Sequence, residues 1–340
     1  MRVLLTGHQG YLGTVMAPVL AAAGHEVTGL DSGLFADCVL GPPPPEPLGL
    51  AADLRDVPAE ALAGFDAVVH LAALSNDPLG SLAPELTYDI NYHASVRLAR
   101  LAREAGAKRF LYASTCSVYG SSGGGQLVTE DAPLRPLTPY AESKVRVEDA
   151  LLDLADDDFT PVFLRNATAF GFSPRLRADI VLNNLVGHAH LSGEVRVLSD
   201  GTPWRPLVHA LDIAEAFAAA LTAPREAVHA RAFNVGSEQN NVTVAEIAAA
   251  VVAAVPGSTL VITGETGADP RSYRVDFSRV RAALPGYEAR WTVKEGAIEL
   301  IDAYRRHGLT SQGFERRFTR LARLADRQAD GTVDGELRPQ

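Results

Sequence analysis

The chain has 340 residues, 47% hydrophobic and 21% charged, with a formal net charge of −10. This is the composition of a globular protein with a large core, in one big domain or two intimate ones, and its acidic balance excludes a nucleic-acid surface, which needs clustered Lys and Arg. The two cysteines, Cys38 and Cys116, build neither a disulfide framework nor a metal-finger spacing, so no metal is expected, and the longest apolar run, Ile247 to Val255, is about half of the ~20 residues a membrane span needs. The early apolar stretch is broken by Gly7, His8 and Gln9, too soon for a signal-peptide core, and a soluble, cytoplasmic protein is expected.

Val3 to Leu5 form an apolar run ending in Thr6; Gly7, Gly10 and Gly13 follow, with helical periodicity from Tyr11 to Ala23. This reads as strand, tight turn and helix. The free N–H groups and the dipole at such a helix start make a seat for a pyrophosphate. Gly7 permits the turn, Gly10 lets the backbone approach the phosphates, and Gly13 lets helix and strand pack closely. The spacing is G-x-x-G-x-x-G rather than G-x-G-x-x-G, so the turn by itself leaves a plain glycine loop open. A second buried strand, Val27 to Leu30, ends in Asp31. An acid about twenty residues past the turn accepts hydrogen bonds from the adenosine ribose of NAD and repels the extra phosphate of NADP. Alone, such an Asp is a solvated strand end; with the turn and the strand it points to a dinucleotide site.

Residues 32 to 48, rich in Gly and Pro, read as an exposed connector, with Cys38 incidental. AADLRD (51–56) reads as a strand end. Val68 to Ala72 reads as a buried parallel strand, and the small Ala72 and Ala73 let a cofactor lie close. One long helical pattern covers 82 to 105. A fifth strand, 108 to 114, runs into the hydroxyls Ser114 and Thr115, a loop SSGGG follows, and Pro139 stands near the start of a helix reaching 155. Strands alternating with helices indicate a doubly wound parallel sheet, whose ligands belong at the carboxyl ends of the strands. Beyond it, 245–255, 293–308 and the amphipathic, Arg-rich 313–330 read as helices, Asp212 and Asn234 as structural, and the last ten residues as disordered.

Tyr140 and Lys144, four apart, share one helix face. An ammonium ~5 Å from a phenolate, at an effective dielectric of ~20, favours the phenolate by on the order of 3 kcal/mol. That brings a phenol toward service as a general base on a sugar hydroxyl. Elsewhere such a pair is ordinary surface; here it follows the hydroxyl-rich strand end on the side where the cofactor belongs.

With these motifs the chain resembles the extended short-chain dehydrogenase/reductases, in their NAD-dependent sugar-nucleotide epimerase/dehydratase branch. GHQGYLG is similar to that branch's G-x-x-G-Y-x-G turn, which accounts for the spacing. PYAESK is similar to its Y-x-x-x-K motif and STCSVYG to its S-T/S-x-x-V-Y-G strand end; the stretches 198–214, 234–237 and 269–279 are similar as well. The resemblance implies an α/β fold: a Rossmann-like doubly wound parallel sheet in 1–165 plus about 207–236, a smaller α/β substrate-binding lobe in 166–206 plus about 237–315, and a C-terminal helix and tail in 316–340. It implies an NAD site lined by Gly7, Gly10, Tyr11, Leu12, Gly13, Asp31, Asp53, Leu54, Leu71, Ala72, Ala73, Asn91 and Ser114, with Tyr140 as the base and Lys144 on the ribose. Thr115 would bond the reacting sugar oxygen, and Asn184 and Leu185 would lie beside the diphosphate of a nucleotide-diphosphate sugar. Arg205 and Arg271 would grip its two phosphates, a role that suits the arginine fork. A homodimer through the helices 82–105 and 140–156 is also implied.

Three positions depart from the branch. Its 4,6-dehydratases carry Asp-Glu directly after the Thr, and its decarboxylases a Glu at the second of these positions; here stand Cys116 and Ser117. The Asn of an N-x-Y-G strand end is replaced by Thr168, with Asn166 nearby as a substitute. Cys116 and Ser117 are candidate acid/base groups, since the 3,5-epimerising members place a Cys where Ser117 stands; a small packing residue is the simpler reading of Cys116. The expected activity is an NAD-dependent NDP-sugar epimerase, acting by C4 inversion through a 4-keto intermediate with NAD kept bound. The alternatives are a 4,6-dehydratase, decarboxylase, 3,5-epimerase or 4-keto-sugar reductase of the same branch and, in another class, a non-catalytic dinucleotide-binding sensor.

Overall fold

The structure, a computed structural model, describes residues 1–75, 83–121, 125–265 and 271–340. Part of the SSGGG loop, residue 82 of the expected helix and residues 269–270 of the last motif lie outside the described residues. The strands in chain order are β1 Arg2–Thr6, β2 Glu26–Asp31, β3 Gly49–Ala51, β4 Ala67–His70, β5 Arg109–Thr115, β6 Leu127–Val128, β7 Thr160–Asn166, β8 Thr168–Phe170, β9 Glu194–Val197, β10 Trp204–His209, β11 Arg231–Val235, β12 Asn241–Thr243, β13 Thr259–Ile262 and β14 Arg274–Val275. The helices are α1 Tyr11–Ala22, α2 Pro84–Tyr88, α3 Ala94–Glu104, α4 Pro139–Leu152, α5 Val181–Ser192, α6 Ala210–Thr222, α7 Arg225–Val228, α8 Val244–Ala254, α9 Ser278–Ala283, α10 Val293–His307 and α11 Arg320–Ala329.

Seven strands form one parallel sheet in the order β11-β7-β5-β4-β1-β2-β3. Its central strands are apolar without alternation because both faces are covered. Val3, Leu5, Val69 and Leu111 point to one face, against Met16 and Leu20 of α1 and Ile213 and Phe217 of α6. Leu4, Val68, Phe110 and Tyr112 point to the other, against Leu98 and Ala99 of α3 and Val147 and Leu151 of α4. The sheet therefore leaves its strand carboxyl ends as the open edge, which is where ligands of such folds lie.

A second core, built on Phe170, Leu182, Val186, Val195, Val251, Leu300 and Tyr304, lies beyond that edge. It packs α5, α8 and α10 on two small sheets, β12-β10-β8 and β13-β9. Capping boxes start α8 (Thr243 with Glu246) and α10 (Thr292 with Glu295), each satisfying two otherwise orphaned N–H groups.

Five expectations are corrected here. The strand end expected over 51–56 comes earlier: β3 stops at Ala51, and the Asp53 carboxylate accepts the Arg55 N–H and caps a 3-10 turn over Leu54–Asp56. The helix of 82–105 is interrupted by a π turn, Asp89–His93, between α2 and α3. The helix of 313–330 breaks as well, into a π turn over Gly313–Arg317 followed by α11. The last ten residues are ordered rather than loose: Val333 and Leu337 are buried with Leu324 against Leu34 and Leu74, and Arg338 pairs with Asp56. The same contact bears on the 32–48 connector, which is not simply exposed, since Leu34, Cys38 and Leu40 are buried. Arg327 donates to the carbonyls of Gly33 (3.1 Å) and Leu34 (2.8 Å), tying α11 onto it. Among the described residues no helix is long and apolar enough to cross a membrane.

Candidate active site

A cavity of about 700 Å³ opens at the carboxyl ends of β1, β2, β4, β5 and β7, between the sheet and the second core. Its floor is the glycine turn. Gly7 has φ +75°, in the left-handed region, and a Cβ there would meet the Ala72 amide nitrogen at 2.8 Å. A Cβ on Gly13 would stand 2.1 Å from the Gly7 carbonyl oxygen. The turn is thus a cradle shaped by missing side chains, with the start of α1 facing the cavity, and it fits a dinucleotide's phosphates. The Asp31 carboxylate accepts the Gln9 and Gly33 N–H groups, both at 2.9 Å, which locks the turn to the end of β2 with Asp31 on the cavity wall.

Gly10, Tyr11, Leu12, Asp53, Leu54, Leu71, Ala72, Ala73 and Ser114 also line the cavity. Asp53 is already engaged. Burial opposes its charge, but hydrogen bonds from the Arg55 backbone (2.9 Å) and guanidinium (2.7 Å) outweigh this and hold its pKa below the usual carboxylate value. Asn91 does not line the cavity. It is buried one layer behind, accepting the Leu74 N–H at 2.8 Å and donating to the Leu74 carbonyl at 3.0 Å, so it shapes the wall after β4 rather than forming it.

At the reacting end stand Thr115, Tyr140 and Lys144. Thr138 caps α4 by accepting the Ala141 N–H at 3.2 Å, Pro139 occupies the first turn, and Tyr140 and Lys144 follow on the cavity side. Lys144 is 3% exposed; its Nζ donates to the Ala113 carbonyl at 2.8 Å and lies 5.7 Å from the centre of the Tyr140 ring. Burial pulls its pKa down to about 7, against the opposing pull of Glu148.

A buried ionic network holds the end of β5 in place. The Ser114 hydroxyl donates to Glu148 at 2.5 Å, Glu148 pairs with Arg165 at 2.6 Å, Arg165 donates to the Tyr119 hydroxyl at 3.0 Å, and Tyr119 donates to Asn234 at 2.6 Å. Removing one member strands the other charge. Arg165→Met is expected to lower stability in urea unfolding by about 3–5 kcal/mol, and Arg165→Met with Glu148→Leu to recover most of that loss.

Thr115 ends β5 and accepts the Ser117 N–H at 3.1 Å, capping a 3-10 turn, Cys116–Tyr119. This turn decides between the two candidate acid/base residues. Cys116 is rotated into the core, where its thiol donates to the Arg165 carbonyl at 3.1 Å and burial pushes its pKa up; it does not line the cavity and is excluded from acid/base work there. Ser117 does line the cavity, and Arg271 Nη1 donates to its hydroxyl at 3.4 Å.

Arg205, Arg271, Asn184 and Leu185 line the far side. Arg205 donates to the Trp204 carbonyl at 3.0 Å and to the Arg271 carbonyl, so the two arginines form one cluster. Asn166 and Thr168 line the wall as well, and the Asn166 Oδ1 is buried without a partner among the described residues. Sequence reasoning missed Phe35, Arg177, Asp179, Tyr273, Arg320 and Leu337, all on the cavity wall. No local pattern marks them.

A glycine cradle at a helix start, an acid at the end of β2 and a buried lysine beside a tyrosine define a dinucleotide-dependent redox-type site on a Rossmann-like fold. Residues 3–236 match the model of the NAD dependent epimerase/dehydratase family, and the chain belongs to that family. It is an enzyme, and NAD is its cofactor. It is 31% identical over 252 residues to a UDP-glucose 4-epimerase of Corynebacterium glutamicum, covering 70% of this chain and 75% of the relative. It is 30% identical over 318 residues to a UDP-glucose 4-epimerase of Mycolicibacterium smegmatis, covering 90% and 99%. Among solved structures it is similar to MoeE5 in complex with UDP-glucuronic acid and NAD, with TM-score 0.77, 28% identity and coverage of 90% and 99%.

Proposed function

We propose that this chain is a 4-epimerase of nucleotide-diphosphate sugars, with UDP-hexoses as the first candidates. The observation that carries the reading is the turn after Thr115, which offers the cavity only the Ser117 hydroxyl. Among the described residues the carboxylates lining the cavity are those of Asp31, Asp53 and Asp179. The first takes backbone N–H groups, the second is bound by Arg55, and the third is held by both guanidinium arms of Arg177 at 2.8 and 3.1 Å. None is a free base for eliminating across C5 and C6. The UDP-glucose 4-epimerase relatives and the MoeE5 likeness support the same class.

NAD, when bound, would supply the reversible hydride acceptor for C4 of the sugar. Gly7, Gly10 and Gly13 would hold its pyrophosphate, Asp31 its adenosine ribose, and Lys144 its other ribose. Tyr140 takes the C4 hydroxyl proton as the 4-keto sugar forms and gives it back when the alcohol re-forms with inverted configuration. Thr115 holds the reacting oxygen toward Tyr140. Arg205 and Arg271 grip the substrate diphosphate while the hexosyl group turns over, a task for planar, always-charged groups. The proposal includes a homodimer through the helical segments 82–105 and 140–156, in the cytoplasm.

An NMR time course in D2O with UDP-, dTDP-, GDP- and CDP-sugars tests it. The expected result is C4 inversion with no deuterium on the sugar carbons. Deuterium at C3 or C5, loss of water, or consumption of NADH in proportion to product would replace it with one of the related reactions.

A further inference from the structure

Arg320 is the first residue of α11 and takes no part in the reading above. It is 5% exposed, and both terminal guanidinium nitrogens are buried without a hydrogen-bond partner among the described residues. Its guanidinium lies over the Phe35 ring, 4.5 Å from its centre, on the cavity wall beyond Asp31. Burial pulls its pKa down, and the carboxylates around it are committed elsewhere: Asp179 to Arg177 and Asp37 to Arg323 at 2.7 Å. A buried guanidinium without an anion is costly, so a group in this state marks a place where an anion fits.

The glycine turn itself supplies no full positive charge. Between Gly7 and Gly13 there is no Lys or Arg, so the turn offers neutral N–H groups to a doubly charged pyrophosphate. Arg177 is neutralised by Asp179. Arg320 lines the same cavity, with Thr319, Leu321 and Leu337 beside it. Its segment is fixed to the connector after β2 through Arg327 and Arg323. We propose that Arg320 binds a pyrophosphate oxygen of NAD, so that the C-terminal segment closes the dinucleotide cavity through a charge-assisted contact.

The inference rests on the assignment of NAD to this cavity. It is tested on the full chain freed of cofactor, comparing wild type, Arg320→Met and Arg320→Lys by calorimetry with NAD+, ADP and adenosine, and by thermal unfolding with and without NAD+. Arg320→Met is expected to bind NAD+ and ADP about 10- to 100-fold more weakly and adenosine unchanged, with Arg320→Lys in between. Without ligand, Arg320→Met is expected to melt no lower than wild type, because an uncompensated buried charge has been removed; its NAD+-induced rise in melting temperature shrinks. Unchanged ADP affinity, or an equal loss with adenosine, overturns the proposal, as does a ligand-free variant that melts lower while binding NAD+ normally. Wild type failing to bind NAD+ overturns the cofactor assignment itself, whereas normal NAD+ binding by both wild type and Arg320→Met overturns the Arg320 contact alone.

Discussion

Tyr140→Phe is expected to lower kcat by about 1000-fold, within the range that a positioned proton-transfer group contributes. The substitution removes one oxygen and keeps the ring 5.7 Å from the Lys144 ammonium, so packing in α4 is preserved. NAD+ affinity and melting temperature are expected to stay within a few-fold and about a degree of wild type. Initial rates of C4 inversion, read beside calorimetry with NAD+, separate the two effects. A rate within tenfold of wild type would remove Tyr140 from the reaction, and a silent dinucleotide sensor would then be the better description. The Lys144 ammonium is part of this expectation. Burial pulls its pKa down to about 7 against the pull of Glu148, so a nearby pyridinium or phosphate shifts its charge readily.

Gly13→Ala is expected to cost about 3 kcal/mol of stability and at least about 100-fold in NAD+ affinity. The added Cβ would lie 2.1 Å from the Gly7 carbonyl oxygen and 2.5 Å from the His8 Cα. Both are backbone atoms, so the clash is relieved only by opening the turn, and opening it moves the N–H groups that face the cavity. Gly335→Ala serves as a control, because among the described residues nothing lies within 4 Å of its added Cβ and its φ is outside the left-handed region; it is expected to change stability by less than about 0.5 kcal/mol. Chemical unfolding and NAD+ titration of both variants check the contrast. Equal behaviour of the two would show that the close approach at Gly13 carries no function.

These features were legible in the sequence because they are local. The Gly7–Gly10–Gly13 spacing, the Asp31 offset and the four-residue step from Tyr140 to Lys144 are each set within one turn or one strand–helix unit, and the buried strands announce themselves as apolar runs. What was not legible depends on contacts across the chain. Cys116 and Ser117 are neighbours in sequence, and only the 3-10 turn capped by Thr115 decides that the first enters the core and the second the cavity. Asn91 sits on an expected helix, but its partner is Leu74, seventeen residues away, across the wall. The tail carries too few apolar residues to signal burial; Val333 and Leu337 are covered because Leu34 and Leu74 lie under them. Arg320 reads as the polar face of an amphipathic helix until Phe35 is placed beneath it.

The cavity is assembled from segments about three hundred residues apart in the sequence. Its floor is complete within the first fourteen residues, while Thr319, Arg320, Leu321 and Leu337 join the wall about three hundred residues later. During translation the parallel sheet therefore has its glycine turn early, yet the segment that faces it is still inside the ribosome when most of the fold can form. A dinucleotide arriving then meets a groove open on one side. Enclosing the dinucleotide therefore depends on elements made about three hundred residues after its floor, and a chain interrupted before α11 would leave that side of the groove open.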